Sequence, residues 1–268
     1  ASTNPAMCKT GINEHPTTGI FNKTNPANPF QNYTIVQVIY CSGDLHGGTM
    51  THAYSSGENS SLLAVHHGNA NTVSVIEWAR KNFDALDTFV VTGCSAGSLG
   101  AQMWANYLLG NFHYKNAMVL GDSYLPIFPG NKEAILMKNF GICHAAFLNA
   151  NQRQKCEHTN FTITELFMGA IEAFPHVTFA NLQSKADGTQ RHFYDAVAWT
   201  MGAEATLDSE EAYYAEVSRV LESYNKFPNY VTYLVDGGQH CFLPVDTVFS
   251  ANLDGTEAGC KGVKQGRE

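Results

Sequence analysis

The chain has 268 residues, of which 44% are hydrophobic and 12% aromatic, so it can build a substantial globular core in one large domain or two small ones. Its formal net charge is −8, with only 16 lysines and arginines and no basic cluster, which disfavours nucleic acid and anionic membrane surfaces as partners. No apolar run approaches the roughly 20 residues that a transmembrane helix needs, so we expect no membrane span.

Strands and helices alternate along the sequence after an irregular first segment that is rich in Asn, Pro, Thr and Gly. The predicted strands are 34–40, 88–91, 117–120, 177–182 and 230–235. The predicted helices are 73–83, 96–109, 164–173 and 209–224, with Ser209 as the N-cap of the last. This alternation predicts an α/β fold with a mainly parallel sheet and helices on both faces. We expect a single domain over 1–268, in which the less regular residues 123–160 form a cap-like insertion that shapes the substrate pocket.

The sequence Gly93-Cys94-Ser95-Ala96-Gly97 is the strongest functional signal in the chain. It lies between a predicted strand and a predicted helix, as a G-x-S-x-G nucleophile elbow requires. The turn strains the serine backbone and exposes its hydroxyl, and a glycine on each side removes side chains that would clash. A tight strand-to-helix turn with a buried serine is the alternative interpretation.

Two further polar residues follow predicted strands downstream of Ser95. In a parallel sheet, reactive groups gather where strands end, and the chain order Ser95, Asp187, His240 is that of the α/β-hydrolase triads. A serine hydroxyl needs an imidazole to accept its proton, and the imidazole needs a carboxylate to fix its tautomer. Asp122 and Asp236 also follow strands and remain alternative acids, and Asp187 is alternatively part of an ordinary Asp-Gly turn.

An oxyanion hole requires backbone N–H groups that point at the developing negative charge. The N–H of Ala96 is the natural first donor. The glycine-rich loop 42–48, with Gly43 and Asp44, is the candidate for a second donor or a pocket wall. His46, His66 and His67 lack a spaced set of accompanying ligands, so we predict neither a metal nor another cofactor.

Seven cysteines are unusual for a cytosolic protein of this length without metal. Cys143 and Cys156 bracket a short segment, and Cys241 and Cys260 bracket the C-terminal tail, so we predict these two pairs as disulfides. Cys94, inside the elbow, is predicted to be a buried thiol.

Cys8 and Cys41 are expected to pair with each other or with a cysteine outside this sequence. The first residue is Ala1, which fits a processed N-terminus from which a signal peptide has been removed. Together with the cysteine content, this predicts a secreted or extracytoplasmic protein.

Several segments together resemble the pectin acetylesterase family, which includes the Notum carboxylesterases. Residues 25–44 are similar to its N-P-F…Y-C-S-G-D segment, and 93–97 match its G-C-S-A-G elbow. Residues 120–123 resemble the family's strand end after the elbow. Residues 185–190 resemble the segment that bears its catalytic acid, and residues 240–241 resemble its H-C pair. The resemblance implies an α/β-hydrolase fold, a secreted serine esterase, and catalytic roles for Ser95, Asp187 and His240.

The chain departs from the family pattern at two points. The family has a G-G-G-W/A-C oxyanion segment upstream of the region that matches Cys8, so either the sequence begins after it or the second oxyanion donor is supplied differently. The family's aromatic residue after the acid is replaced by Thr189, which predicts a different pocket shape.

We therefore predict a serine carboxylesterase whose partner is an ester substrate, with an O-acetyl ester on a polysaccharide as the leading candidate. Hydrolysis of longer acyl, aryl or polyester bonds is an alternative. A catalytically inactive α/β-hydrolase that serves as a binding module is a second alternative.

Overall fold

The computed structural model describes residues 16–55, 61–249 and 262–265. The α-helices are α1 (Gly68–Asn82), α2 (Ala96–Asn111), α3 (Glu133–Asn139), α4 (Ala150–Glu157), α5 (Ile163–Ala173), α6 (Gly188–Thr200) and α7 (Glu210–Tyr224). The strands are β1 (Thr51–Ser55), β2 (Ser61–Val65), β3 (Leu86–Cys94), β4 (Tyr114–Asp122), β5 (Thr178–Ser184), β6 (Tyr230–Val235) and β7 (Gly262–Gln265). None of the helices in these ranges combines the length and apolar character needed to cross a membrane.

The main sheet has the strand order β3-β4-β5-β6-β7, so the strands lie side by side in the order of the sequence. Strands β3 to β6 run parallel, and β7 is antiparallel to β6. A parallel neighbour requires a crossover connection, which α2 supplies between β3 and β4. The parallel arrangement places the carboxyl ends of β3, β4, β5 and β6 at the same edge of the sheet, as the sequence predicts.

The larger core lies on one face of this sheet. Side chains such as Val91, Val119 and Phe179 from the strands pack there against α2, α5, α6 and α7. On the other face, Leu182 and Val235 form a smaller cluster with the buried Phe242, which belongs to the loop after β6. The α/β class and the mainly parallel sheet are confirmed.

Local sequence signals explain several helix ends. Ser209 accepts a hydrogen bond from the Ala212 N–H, so the predicted N-cap of α7 is confirmed. Thr162 and Glu165 form a capping box at the start of α5, in which each side chain accepts the other residue's N–H.

Residues 123–160 contain α3, α4 and short 3-10 turns, and the predicted disulfide between Cys143 and Cys156 is confirmed. Buried residues of this segment pack against α1 and α2 in a second core cluster. Its role as a cap over the substrate, and the extent of one domain over 1–268, stay predictions.

The predicted strand 34–40 is wrong, because these residues form no ladder in the structure. Their β-branched content favours extended chain, but a strand also needs a neighbour, and Val36 and Ile39 remain 39% and 40% exposed. The antiparallel pair of β1 and β2 was not predicted from the sequence.

Candidate active site

Ser95 lies at the junction of β3 and α2 with φ 58° and ψ −122°, a backbone conformation that a non-glycine residue adopts only under strain. A Cβ at Gly93 would lie 2.3 Å from the Gly97 carbonyl oxygen, so glycine is required there. At Gly97 a Cβ would meet nothing within 4 Å, so the predicted clash after the serine is wrong. The strand, the strained serine and the helix have the form of a nucleophile elbow.

The Ser95 hydroxyl is not used to hold the helix that follows. Its side chain makes no capping hydrogen bond to α2, and the residue is only half-buried. The Ser95 N–H donates to the Asp122 carbonyl at 2.9 Å, which anchors the turn to the next strand. The Ala96 N–H lies in the first turn of α2, where backbone donors have no acceptor within the helix. A hydroxyl and a backbone donor are therefore adjacent at the turn.

His240 and Asp187 form a largely buried pair. The Nδ1 atom of His240 lies 2.7 Å from Oδ2 of Asp187, and the two side chains are 15% and 0% exposed. The second oxygen of Asp187 accepts the Gln190 N–H at 2.9 Å, so the acid is also the N-cap of α6. One carboxylate oxygen thus fixes the acid to a helix, and the other orients the imidazole.

The loops that carry Asp187 and His240 are joined directly to each other. The Ala186 N–H donates to the Gly237 carbonyl at 3.0 Å, and the Ser184 hydroxyl donates to the Gln239 carbonyl. Gly237 has φ 94°, a left-handed conformation that favours glycine. These bonds hold the two loops in register after β5 and β6.

The alternative acids have other partners. Asp236 forms an ion pair with Lys185 at 2.7 Å on the surface. The buried carboxylate of Asp122 accepts the N–H groups of Phe242 and Leu243. Burial raises the pKa of the Asp122 carboxyl, while these N–H donors act in the opposite direction. Of the three aspartates considered, Asp187 is the one that contacts the imidazole.

A disulfide links Cys94 to Cys241, with their Cα atoms 5.5 Å apart. It therefore joins the residue before Ser95 to the residue after His240, and a His240 ring nitrogen lies within 4.8 Å of both sulfurs. The predicted Cys241–Cys260 disulfide and the predicted thiol at Cys94 are both wrong. The short spacing in the sequence favoured Cys260 as the partner of Cys241. In the folded chain, the elbow and the loop that carries His240 lie close together, so Cys241 pairs with the distant Cys94. The position of each cysteine beside a triad candidate was the overlooked signal.

The prediction for Cys8 and Cys41 is not settled, because only Cys41 lies within the described residues. Cys8 and Cys260 lie outside the described residues. Cys41 forms no disulfide with another cysteine of the described ranges, and its sulfur accepts a hydrogen bond from the Asn71 side chain at 3.6 Å.

The loop 42–48 is held in place by the carboxylate of Asp44, which is fully buried. Its oxygens accept the Gly68 N–H at 2.7 Å and the Ser42 hydroxyl at 2.8 Å. A Cβ at Gly48 or Gly68 would lie 2.2 Å from an oxygen of this carboxylate, so both glycines permit the close approach. The Asp44 side chain is thus occupied within the fold, and the backbone of Gly43 and Asp44 remains the predicted oxyanion element.

The same loop contacts α2 at Gly100 and Trp104. A Cβ at Gly100 would lie 2.9 Å from the His46 ring, and the His46 carbonyl accepts the Trp104 indole N–H at 3.0 Å. Burial lowers the pKa of the His46 imidazole, while the nearby charge of Asp44 acts in the opposite direction. His66 instead contacts the Tyr54 hydroxyl at 2.9 Å. The loop is therefore fixed to the helix that Ser95 precedes.

Within the described ranges, one group of three side chains has metal-ligating atoms close together, namely Cys94, His240 and Cys241. The two sulfurs of this group are bonded to each other, which removes them as thiolate ligands.

Comparisons with known proteins concern the family and the fold of the chain. The pectinacetylesterase family model matches residues 5–184. The Wnt deacylase Notum from Drosophila has a similar structure, with a TM-score of 0.57 and 15% sequence identity over 89% of this chain and 69% of the Notum chain. No curated protein matches the sequence. The fold is that of an α/β-hydrolase.

Proposed function

Because the chain belongs to the pectinacetylesterase family and is a carboxylic ester hydrolase, we propose that it acts through an acyl-enzyme on Ser95, with His240 as base and Asp187 as acid. The observation that carries this proposal is the buried Asp187–His240 pair, in which the loop of His240 is joined by a disulfide to the residue before Ser95.

In the first half-reaction, Nε2 of His240 takes the proton of the Ser95 hydroxyl as Oγ attacks the carbonyl carbon of the ester. The imidazolium that forms is stabilised by Asp187, which accepts its Nδ1–H. The tetrahedral intermediate then collapses, the bond from carbon to the alcohol oxygen breaks, and His240 returns the proton to the leaving alcohol. The acyl group remains on Ser95.

In the second half-reaction, His240 takes a proton from water, and the hydroxyl oxygen attacks the acyl carbon. Collapse of this intermediate breaks the bond to Ser95, which regains its proton from the imidazolium. The carboxylic acid leaves and the free enzyme is restored.

The oxyanion of both intermediates is held by the Ala96 N–H at the start of α2. The backbone of Gly43 and Asp44 supplies the second donor. The contacts of the loop 42–48 with α2 support this role, because they fix the loop beside the helix whose first residue is Ala96.

An O-acetyl ester on a polysaccharide is the proposed substrate, and membership of the pectinacetylesterase family supports it. The structural similarity to a deacylase is the reason to test longer acyl chains as the competing substrate class. The two disulfides of the described residues support a secreted enzyme, because such bonds persist in oxidising compartments.

The first test compares the wild type with Ser95→Ala on p-nitrophenyl acetate, with Ser74→Ala as the matched control on the exposed side of α1. Ser95→Ala should lose turnover and labelling by a fluorophosphonate probe, while Ser74→Ala retains both. Mass spectrometry should locate the probe on Ser95. Turnover by Ser95→Ala at the wild-type rate, or a label on another residue, would refute the mechanism.

The second test concerns the substrate. The wild type should release acetate from acetylated pectin and should prefer acetate to octanoate among p-nitrophenyl esters. A preference for octanoate together with no acetate release would leave the serine mechanism intact and replace the proposed substrate by a longer acyl ester.

A further inference from the structure

Asp122 contacts both halves of the proposed catalytic machinery. It is the last residue of β4 and lies opposite Cys94 in the ladder between β3 and β4. Its carbonyl accepts the Ser95 N–H at 2.9 Å, so the backbone of Asp122 fixes the strained turn that carries the hydroxyl.

The carboxylate of the same residue binds the loop that carries His240. Oδ2 accepts the N–H groups of Phe242 and Leu243 at 2.9 and 2.8 Å, and Oδ1 accepts the Ser123 hydroxyl at 2.7 Å. Asp122 has no exposed surface, so water does not compete for these bonds. Hydrogen bonds to a buried carboxylate are stronger than those between neutral groups.

The backbone after His240 needs such support. Cys241 has φ 64°, a left-handed conformation that costs free energy in a non-glycine residue. The chain then turns inward, so that Phe242 is buried beside Leu182 and Val235. Two N–H groups of this inward turn would be buried without acceptors if Asp122 did not bind them.

We propose that Asp122 is a positioning residue that sets the distance between nucleophile and base, by holding Ser95 through its carbonyl and the residues after His240 through its carboxylate. It does not contact substrate. The proposal rests on the proposed function, because it presupposes that Ser95 and His240 exchange a proton. A displacement of about 1 Å between catalytic groups is enough to reduce turnover by about 100-fold.

The test is Asp122→Asn, which keeps the size of the side chain but places an NH₂ group where one oxygen accepted hydrogen bonds. We expect kcat for p-nitrophenyl acetate to fall by about 10- to 100-fold, with KM changed less than about 3-fold, because the substrate contacts are intact. Hydrogen exchange in peptides that span 236–249 should become faster, since the N–H groups of Phe242 and Leu243 lose an acceptor.

Thr232→Val is the matched control. The Thr232 hydroxyl is buried in β6 and donates to the Asn225 side chain, outside the loop that carries His240. This variant should unfold at a lower temperature with kcat unchanged, which separates a general loss of stability from a loss of positioning. If Asp122→Asn does not fold, Ser123→Ala replaces it and should lower kcat by about 2- to 5-fold through loss of one donor to Oδ1.

A kcat of Asp122→Asn within 2-fold of the wild type, or a fall in kcat equal to that of Thr232→Val at the same loss of stability, would overturn the positioning role. If Ser123→Ala is the variant measured, an unchanged kcat has the same meaning. In either case an inactive Ser95→Ala would show that the proposed function still stands, whereas an active Ser95→Ala would refute the function itself.

Discussion

Cys94 and Cys241 lie 147 positions apart in the sequence and form a disulfide that connects the residue before Ser95 to the residue after His240. In the proposed mechanism, the bond joins the two loops whose separation determines whether the His240 imidazole can accept the Ser95 proton. It therefore acts on the geometry of the site as well as on the stability of the chain.

Replacement of both cysteines (Cys94→Ala with Cys241→Ala) should lower kcat by about 10-fold or more, because the base loop gains freedom relative to the elbow. The free energy of unfolding should fall by about 2–5 kcal/mol, since the bond closes a long loop in the unfolded chain. Steady-state kinetics and urea unfolding measure the two effects. An unchanged kcat would show that Asp122 and Asp187 suffice to position His240.

Removal of the other disulfide, by Cys143→Ala with Cys156→Ala, provides the comparison. This bond joins the 3-10 turn Ile142–His144 to α4 across 13 positions, and its loss should cost about 2–4 kcal/mol of unfolding free energy. Turnover per folded molecule should be retained, because both cysteines belong to the core cluster that 123–160 forms with α1 and α2. Equal losses of kcat in the two double variants would contradict a specific role for the Cys94–Cys241 bond.

Asp187→Asn should reduce kcat by roughly 1,000- to 10,000-fold, because an amide NH₂ facing Nδ1 of His240 favours the wrong tautomer of the imidazole. The asparagine can still cap α6 through the Gln190 N–H, so the melting temperature should change little. Kinetics and thermal unfolding check both parts. Asp236→Asn is the control: it removes a surface ion pair with Lys185 and should leave kcat unchanged.

Gly93→Ala should disrupt the elbow, because the new Cβ would lie 2.3 Å from the Gly97 carbonyl oxygen and backbone atoms cannot move away cheaply. We expect a loss of activity together with a lower melting temperature. Gly169→Ala in α5 is the matched substitution, since a Cβ there meets nothing within 4 Å and alanine favours a helix. It should be as stable as the wild type or slightly more so, with full activity; normal activity of Gly93→Ala would refute the steric argument.

Glu133 should make stability depend on pH. Burial raises the pKa of its carboxyl from 4.5 to about 8, while its oxygen accepts the Ile163 N–H at the start of α5. The folded protein therefore binds the carboxyl proton of Glu133 more tightly than the unfolded chain does. The stabilisation from this proton is complete below about pH 4.5 and is lost as the pH rises through about 8.

Glu133→Gln mimics the protonated side chain and should remove that contribution to the pH dependence. Urea unfolding at pH 5.5 and pH 8.5 should show a smaller loss of stability at high pH in the variant than in the wild type. The same loss in both proteins would mean that Glu133 does not titrate in this interval.

The sequence predicted those parts of the molecule that depend on neighbouring residues. Four strands of the parallel sheet and the helices α1, α2, α5 and α7 follow from apolar spacing, β-branched runs and the cap at Ser209. The helix α6 was missed because Asp187-Gly188 was interpreted as part of a loop, whereas the Asp187 side chain caps a helix. The Asp-Gly sequence is compatible with a loop and with the start of a helix. Only the contacts of the residues that follow decide which of the two forms.

What the sequence determined by itself is the elbow and the order of Ser95, Asp187 and His240, because a strained turn and its glycine are encoded within a few residues. The tertiary structure decided the pairing of Cys94 with Cys241, the contact of His240 with Asp187 instead of Asp122 or Asp236, and the absence of a strand at 34–40. Those outcomes depend on which loops lie close together at one edge of the sheet. These loops are far apart in the sequence, so no local pattern specifies their contacts.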